Sequence, residues 1–193
     1  TLNFADFDNG NITPNGNNIS FTKTPYAENP IYLSNVYNVG TKKVGYLVYN
    51  GFYSAYENDL NSVFTSFQSQ NITHLVLDLR YNSGGSINTA TRLASMITGQ
   101  FGNQVFSKQQ WNSKITNANG GPDSEVFINR FTNQLANGVN ITSLGLTKIY
   151  VITTKSTASA SELIINGLKP YIDVIQIGRT TTGKNEGSIT IYD

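Results

Sequence analysis

Apolar residues recur along this chain with two different periods, and segments of the two kinds alternate. Residues 73–79 form a nearly continuous apolar run, which is typical of a buried parallel strand. Residues 86–98 instead repeat apolar positions every three or four residues, which predicts a helix, and Gly99 suits its C-terminal end. This order of strands and helices predicts an α/β fold with a mainly parallel sheet covered by helices.

The same patterns predict the remaining elements. Residues 1–30 are rich in Asn, Gly and Thr, so turns are expected there, with at most a short strand-like piece at 19–22. Residues 113–123 are polar and glycine-rich, which predicts a loop. The other predicted strands cover 31–39, 43–49, 101–111 (with an exit loop), 148–153, 174–178 and 188–192, and the other predicted helices cover 54–70, 125–135 and 159–168.

Composition excludes several kinds of chemistry. The 193 residues include no cysteine, so a cysteine nucleophile and a cysteine-based zinc site are impossible. The one histidine, His74, opens an apolar run and is interpreted as a structural strand-end residue rather than a triad base. A net charge of +1 and the lack of a basic run give no indication of nucleic-acid binding. No apolar stretch has the length of a membrane span, and nothing implies a metal or a cofactor.

The first candidate for catalysis is a serine-rich segment that follows the predicted strand 148–153. Ser159 stands at a predicted helix start, where helix amides and the macrodipole stabilise negative charge, and the Ala160 N–H could form half of an oxyanion hole. Ser156 and Ser161 are rival nucleophiles in the same segment. The alternative is a purely structural helix start, because Ser159 and Glu162 also have the spacing of a capping box.

The second candidate is Lys184, which follows Ser159 by 25 positions, enough for one helix, one turn and a short strand. A desolvated lysine amine can activate a serine, provided that burial lowers its pKa from about 10.4 toward ~7–8. A solvated turn lysine is the simplest alternative. Residues 178–184 also match most of a nucleotide-binding P-loop, but Asn185 stands where that motif has Ser or Thr.

The third candidate is the turn Asp-Leu-Arg-Tyr-Asn-Ser-Gly-Gly, residues 78–85. Gly84 and Gly85 can adopt backbone conformations closed to other residues, and their exposed N–H groups could supply the other oxyanion donor. Asp78 and Arg80 could pair and brace the turn. The alternative is an ordinary strand-to-helix turn with a surface ion pair.

These three segments, in this order, resemble the carboxy-terminal processing (tail-specific) serine proteases over roughly residues 43–192. The resemblance implies an α/β core of the ClpP/crotonase type and a serine endopeptidase that cleaves proteins near their C-termini through an acyl-enzyme. It also implies a bacterial cell-envelope location and a polypeptide substrate. The implied roles are nucleophile for Ser159, general base for Lys184, oxyanion donors for Gly84 or Gly85 with Ala160, and supporting residues for Asp78, Arg80 and Glu162.

The chain departs from the family pattern at several points. Ser188 stands four residues after the lysine, where the family often has a glutamine that orients the amine, and Ser83 replaces the usual proline before the two glycines. The family usually carries a PDZ domain before the core, for which this chain has no room. We therefore expect residues 1–25 to be a connector or the remnant of a PDZ-like module, and residues 26–193 to be a C-terminally incomplete core. An inert peptide-binding relative of the same fold is the main alternative function.

Overall fold

The computed structural model describes residues 1–188. Nine strands and four α-helices are assigned in this range, together with 3₁₀ turns at Ser54–Tyr56 and Glu125–Phe127. The strands are β1 (Leu2–Asp8), β2 (Asn11–Ile19), β3 (Ile31–Val39), β4 (Lys42–Tyr49), β5 (His74–Asp78), β6 (Val105–Lys108), β7 (Ile128–Arg130), β8 (Lys148–Thr153) and β9 (Asp173–Gly178), and the helices are α1 (Glu57–Ser69), α2 (Ile87–Thr98), α3 (Ser113–Ala118) and α4 (Ala160–Leu168).

A five-stranded sheet organises the fold, in the order β3-β4-β5-β8-β9. The pair β3–β4 is antiparallel, whereas β4–β5, β5–β8 and β8–β9 are parallel. Parallel neighbours need crossover connections, and α1 and α4 lie within two of these crossovers. The predicted α/β fold with a mainly parallel sheet is therefore confirmed.

The hydrophobic core lies on the face of the sheet that the helices cover. Leu47, Leu77 and Val151 stand side by side on β4, β5 and β8, and all three are fully buried. Truncating such a core residue to alanine typically costs about 2–5 kcal/mol. The main helical residues of the same core are Leu60, Phe64, Leu93, Ala94, Ile97, Ile164 and Leu168.

The opposite face of the sheet is only partly buried, and it carries the single histidine. His74 is the first residue of β5, which confirms its interpretation as a strand-end residue. Its ring stacks on Tyr150, and its Nδ1 shares a 2.8 Å hydrogen bond with Thr73 Oγ1. Because β5 and β8 are parallel, His74 lies at the opposite end of the sheet from Ser159, which follows the C-terminal end of β8.

The expectation of turns throughout residues 1–30 is wrong for residues 2–19, which form the antiparallel hairpin β1–β2. Its two-residue turn, Asn9-Gly10, has positive φ at both positions, as this dipeptide favours. Both strands are exposed along their whole length, so no buried face imposes an alternating apolar pattern on them. Whether residues 1–25 belong to a preceding module stays a prediction.

Two further local predictions are wrong. Residues 125–135 form a 3₁₀ turn and β7 rather than a helix, with β7 paired to β6. Their buried apolar residues, Phe127, Phe131 and Leu135, are four apart, a spacing that suits one side of an extended chain as well as a helix. The predicted loop 113–123 begins with helix α3, capped by the Asn112 side chain. The predicted strand 188–192 lies outside the described residues, apart from Ser188.

Candidate active site

The serine segment leads from β8 into α4, and its three serines have different environments. Ser159 is half-buried and immediately precedes α4, with φ 57° and ψ −115°. A positive φ is costly for a residue with a Cβ, and such strain is concentrated at functional sites. Ser161 is fully buried and donates its hydroxyl to the Asn82 carbonyl at 3.0 Å, while Ser156 is exposed. Of the three, Ser159 alone combines partial exposure with a strained backbone, and its role as nucleophile stays a prediction.

The Gly84-Gly85 turn lies directly against this serine. Gly84 has φ 110°, and a Cβ added to it would stand 2.7 Å from Ser159 Cβ and 3.0 Å from Ala160 N. Neither the backbone conformation nor the space admits a side chain there. The turn and the serine segment are therefore in van der Waals contact, although they are far apart in the sequence.

The hydrogen bonds of the turn decide which amides point outward. The Gly84 N–H donates to Asn82 Oδ1 at 2.9 Å, and the Gly84 carbonyl accepts from Phe52 N at 3.0 Å. Because a trans peptide group is planar, the Gly85 N–H points away from Phe52. Within residues 1–188, the N–H groups of Gly85 and Ala160 have no hydrogen-bond acceptor, so these two amides are available to an oxyanion.

Glu162 joins the serine segment, residues 154–161, to the lysine segment, residues 179–184. Its Oε2 accepts from Ser159 N at 2.8 Å and from Lys184 N at 2.9 Å, while its Oε1 accepts from Gly183 N at 2.5 Å. The side chain is only 7% exposed. This burial raises the pKa of Glu162, but the hydrogen bonds from the Thr181 side chain and the three amides outweigh it, and the net pKa is lowered. The carboxylate is thus held ionised between the two segments.

The lysine segment is also attached to the serine segment directly. Thr182 donates its N–H to the Thr157 carbonyl at 2.9 Å and its hydroxyl to the Lys155 carbonyl at 2.7 Å. Lys184 itself is exposed, and within the described residues no hydrogen bond joins its Nζ to Ser159 Oγ. Ser188 is exposed as well. The backbones of the two segments are adjacent, and the side-chain dyad stays a prediction.

The same bonds argue against a nucleotide site at this position. A P-loop binds phosphate through free backbone N–H groups. Here the amides of Gly183 and Lys184 already donate to the carboxylate of Glu162, whose negative charge would repel a phosphate.

Asp78 and Arg80 form the predicted pair at the start of the turn. Arg80 Nε and Nη2 donate to the Asp78 carboxylate at 2.7–3.0 Å, and Tyr46 Oη donates to Asp78 Oδ2 at 2.6 Å. Asp78, the acidic member of the pair, is fully buried, so the alternative of a surface ion pair is wrong for this residue. Burial raises the pKa of Asp78, but the hydrogen bonds from Arg80 and Tyr46 lower it by more. The net pKa is therefore lowered, and the carboxyl stays ionised.

Asn82 is a structural residue of the site that the sequence did not single out. It is fully buried, its Oδ1 accepts from Gly84 N, and its Nδ2 donates to the Tyr49 carbonyl at 2.9 Å. The available signal was its position two residues before a glycine, because Asn often accepts a hydrogen bond from the amide two residues on.

Comparison with known proteins identifies the family. Residues 43–191 match the family described as Peptidase family S41, which is more than half of the chain. The chain belongs to peptidase family S41. Residues 78–85 and 156–184, which carry the candidate site, all lie inside the matched range. The S41 family consists of peptidases.

Two curated relatives and two solved structures illustrate the similarity. The chain is 28% identical over 141 residues to the "Probable CtpA-like serine protease" of Staphylococcus epidermidis and 27% identical to the "Carboxy-terminal processing protease CtpB" of Bacillus subtilis, in each case over 73% of this chain and 25% of the relative. The solved structure named "Putative S41 protease" from Bacteroides fragilis superposes with a TM-score of 0.74 and 32% identity, over 90% of this chain and 44% of that one.

The photosystem II D1 C-terminal processing protease shares the fold, with a TM-score of 0.56 and 23% identity over 82% of this chain and 38% of that one. The chain spans about a quarter of the length of the curated relatives it matches.

Other kinds of site receive no support from the part of the chain that the structure describes. Among residues 1–188, no three side chains of His, Asp or Glu come together as metal ligands would. No helix in that range is both long enough and apolar enough to cross a membrane.

Proposed function

We propose that this S41 domain is the catalytic core of a serine endopeptidase that cleaves polypeptides near their C-termini, with Ser159 as nucleophile and Lys184 as general base. One observation carries the proposal: a single buried oxygen, Glu162 Oε2, accepts the backbone N–H of both residues. A carboxylate shared in this way keeps the two catalytic positions side by side. The resemblance of the motifs and the names of the relatives support the same chemistry.

The proposed reaction proceeds through an acyl-enzyme. Ser159 Oγ attacks the peptide carbonyl carbon while the neutral Lys184 amine takes the hydroxyl proton. The N–H groups of Gly85 and Ala160 hold the resulting oxyanion, and Lys184 then returns the proton to the departing amine. Water repeats the sequence on the ester and releases Ser159. No cofactor is needed.

Lys184 is exposed, so the proposal requires that the bound substrate desolvates its amine. Substrate docked across Gly85 and Ala160 would cover the space between the serine and the lysine. We further propose that the fold is of the ClpP/crotonase type and that the protein works in the bacterial cell envelope. We also propose that residues 1–25 are a connector or the remnant of a PDZ-like module, and that residues 26–193 form the catalytic core.

The second candidate is an inert peptide-binding relative. It is favoured by the lack of a Ser159 Oγ–Lys184 Nζ hydrogen bond within the described residues and by the serine at position 188. An inert relative would bind an extended peptide without turning it over, and Lys184→Ala would leave that binding unchanged.

The experiment that tests the proposal combines a fluorophosphonate probe with fluorescein-labelled casein as an unstructured substrate. We expect the wild-type chain to be labelled at Ser159 and to cleave casein, and Ser159→Ala and Lys184→Ala to lose both activities while they keep the wild-type circular dichroism. Ser156→Ala is the matched control, because it removes an exposed hydroxyl in the same segment. Casein cleavage that survives in Ser159→Ala would overturn the assignment.

A further inference from the structure

We infer that Asn82 is the positioning residue that aligns the oxyanion turn with the nucleophile segment. The inference rests on the proposed function and assigns to Asn82 a role in turnover beyond its contribution to stability. Asn82 does not contact the reacting atoms in this proposal, and it acts through Gly84 and Gly85.

The side chain of Asn82 fixes the turn from one side. Its Oδ1 accepts the Gly84 N–H at 2.9 Å, and its Nδ2 donates to the Tyr49 carbonyl, also at 2.9 Å. Tyr49 is the last residue of β4, an interior strand of the sheet. The Asn82 side chain therefore links the orientation of the Gly84 amide to the end of β4.

The main chain of Asn82 fixes the nucleophile segment from the other side. Its carbonyl accepts both the Ala158 N–H at 3.1 Å and the Ser161 hydroxyl at 3.0 Å, and these two residues flank Ser159 and Ala160. One fully buried residue thus connects the end of β4, the glycine turn and the start of α4.

This arrangement determines where the Gly85 N–H points. Asn82 holds the peptide group before Gly84, and Phe52 N holds the Gly84 carbonyl at 3.0 Å in the peptide group after it. Without Asn82 Oδ1, the buried Gly84 N–H would lack a hydrogen-bond acceptor. Because glycine has wide backbone freedom, the peptide group at Gly84 could then rotate toward a different acceptor. Such a rotation would turn the Gly85 N–H away from the oxyanion.

The test compares Asn82→Ala with Asn61→Ala as a matched control. Asn61 is also buried, at 8% exposure, and also bridges two backbone groups, donating to the Asn140 carbonyl at 3.1 Å and accepting from Thr142 N at 2.8 Å. Both variants lose two side-chain bonds, so both should lower stability to urea. Only Asn82→Ala should lower kcat on labelled casein, by about 10²–10³-fold with KM nearly unchanged, as expected for a misplaced oxyanion donor.

Asn82→Asp provides the second variant. Its full burial and the neighbouring Tyr49 carbonyl favour the protonated carboxyl, which can accept the Gly84 N–H at one oxygen and donate to the Tyr49 carbonyl from the other. We expect its kcat to stay within about tenfold of wild type. The inference is overturned if Asn82→Ala loses no more kcat than Asn61→Ala. If Asn82→Ala does not fold, Asn82→Asp takes its place in the test. A folded Asn82→Asp whose kcat falls by about 10²–10³-fold then overturns the inference.

The two proposals fail in different ways. If the fluorophosphonate does not label the wild-type chain at Ser159, the proposed function fails and the role of Asn82 in turnover fails with it. If the wild-type chain is labelled and cleaves casein but Asn82→Ala turns over like the control, only the positioning role is wrong.

Discussion

Replacing Glu162 with glutamine should uncouple the two catalytic segments. The carboxylate accepts three backbone N–H groups, two at Oε2 and one at Oε1. A glutamine offers one carbonyl oxygen, and its NH₂ group would face an N–H donor at the other position. At best the variant keeps the Ser159 and Lys184 bonds and loses the bond to Gly183.

The magnitude follows from the charge and burial of these bonds. A hydrogen bond to a charged group contributes about 1.5–3 kcal/mol, and an unsatisfied buried donor adds a desolvation cost of similar size. Because the side chain is 7% exposed, solvent screens these bonds little. We expect Glu162→Gln to lower the free energy of unfolding by about 2–4 kcal/mol and to slow fluorophosphonate labelling at Ser159 by at least tenfold.

Urea unfolding and the labelling rate measure the two effects separately. Glu125→Gln is the control, because Glu125 is an exposed partner of Arg130 and such surface pairs contribute little to stability. A Glu162→Gln variant that matches the control in both stability and labelling would refute the coupling role.

The pH dependence gives an independent check on Glu162. Its pKa in the folded state lies below the ordinary value of 4.5. A depressed carboxyl pKa adds stability that is fully present above the unfolded-state value and is lost as the pH falls through the folded-state value. Wild type should therefore lose stability below about pH 4.5 more steeply than Glu162→Gln, and equal slopes would contradict the lowered pKa.

Other substitutions test the turn and its brace. Gly84→Ala places a methyl group 2.7 Å from the side chain of the proposed nucleophile and should abolish labelling, whereas Gly138→Ala, also at positive φ but with no atom within 4 Å, should cost only about 1–2 kcal/mol of backbone strain. Equal labelling in the two variants would contradict the close approach. Tyr46→Phe removes the 2.6 Å bond to the buried Asp78 and should lower unfolding free energy by about 1.5–3 kcal/mol in urea at pH 7, and no loss would show that the hydroxyl does not stabilise the carboxylate.

Much of the sheet was predictable, because β-branched and aromatic residues are enriched in β3 and nearly continuous apolar runs mark β5 and β8. The predicted strands 31–39 and 148–153 match β3 and β8 residue for residue, and Gly99 ends α2 in a left-handed conformation. The elements outside the main core were not predictable in this way. The hairpin β1–β2 is exposed throughout, and β7 owes its form to pairing with β6, which is a contact between distant residues.

The candidate site also has features that the sequence specifies and features that depend on the tertiary structure. By itself the sequence determined the residue types, their order and the short-range geometry, including the reach of Glu162 to the Ser159 amide three residues before it. Only the tertiary structure decided that the same carboxylate also accepts from Lys184 N and that Asn82 accepts from the Gly84 amide. It also decided that, among residues 1–188, the amides of Gly85 and Ala160 have no acceptor. The physical reason is that these bonds join β4, the turn, α4 and the segment after β9. Their alignment depends on strand order and burial, which no local spacing specifies.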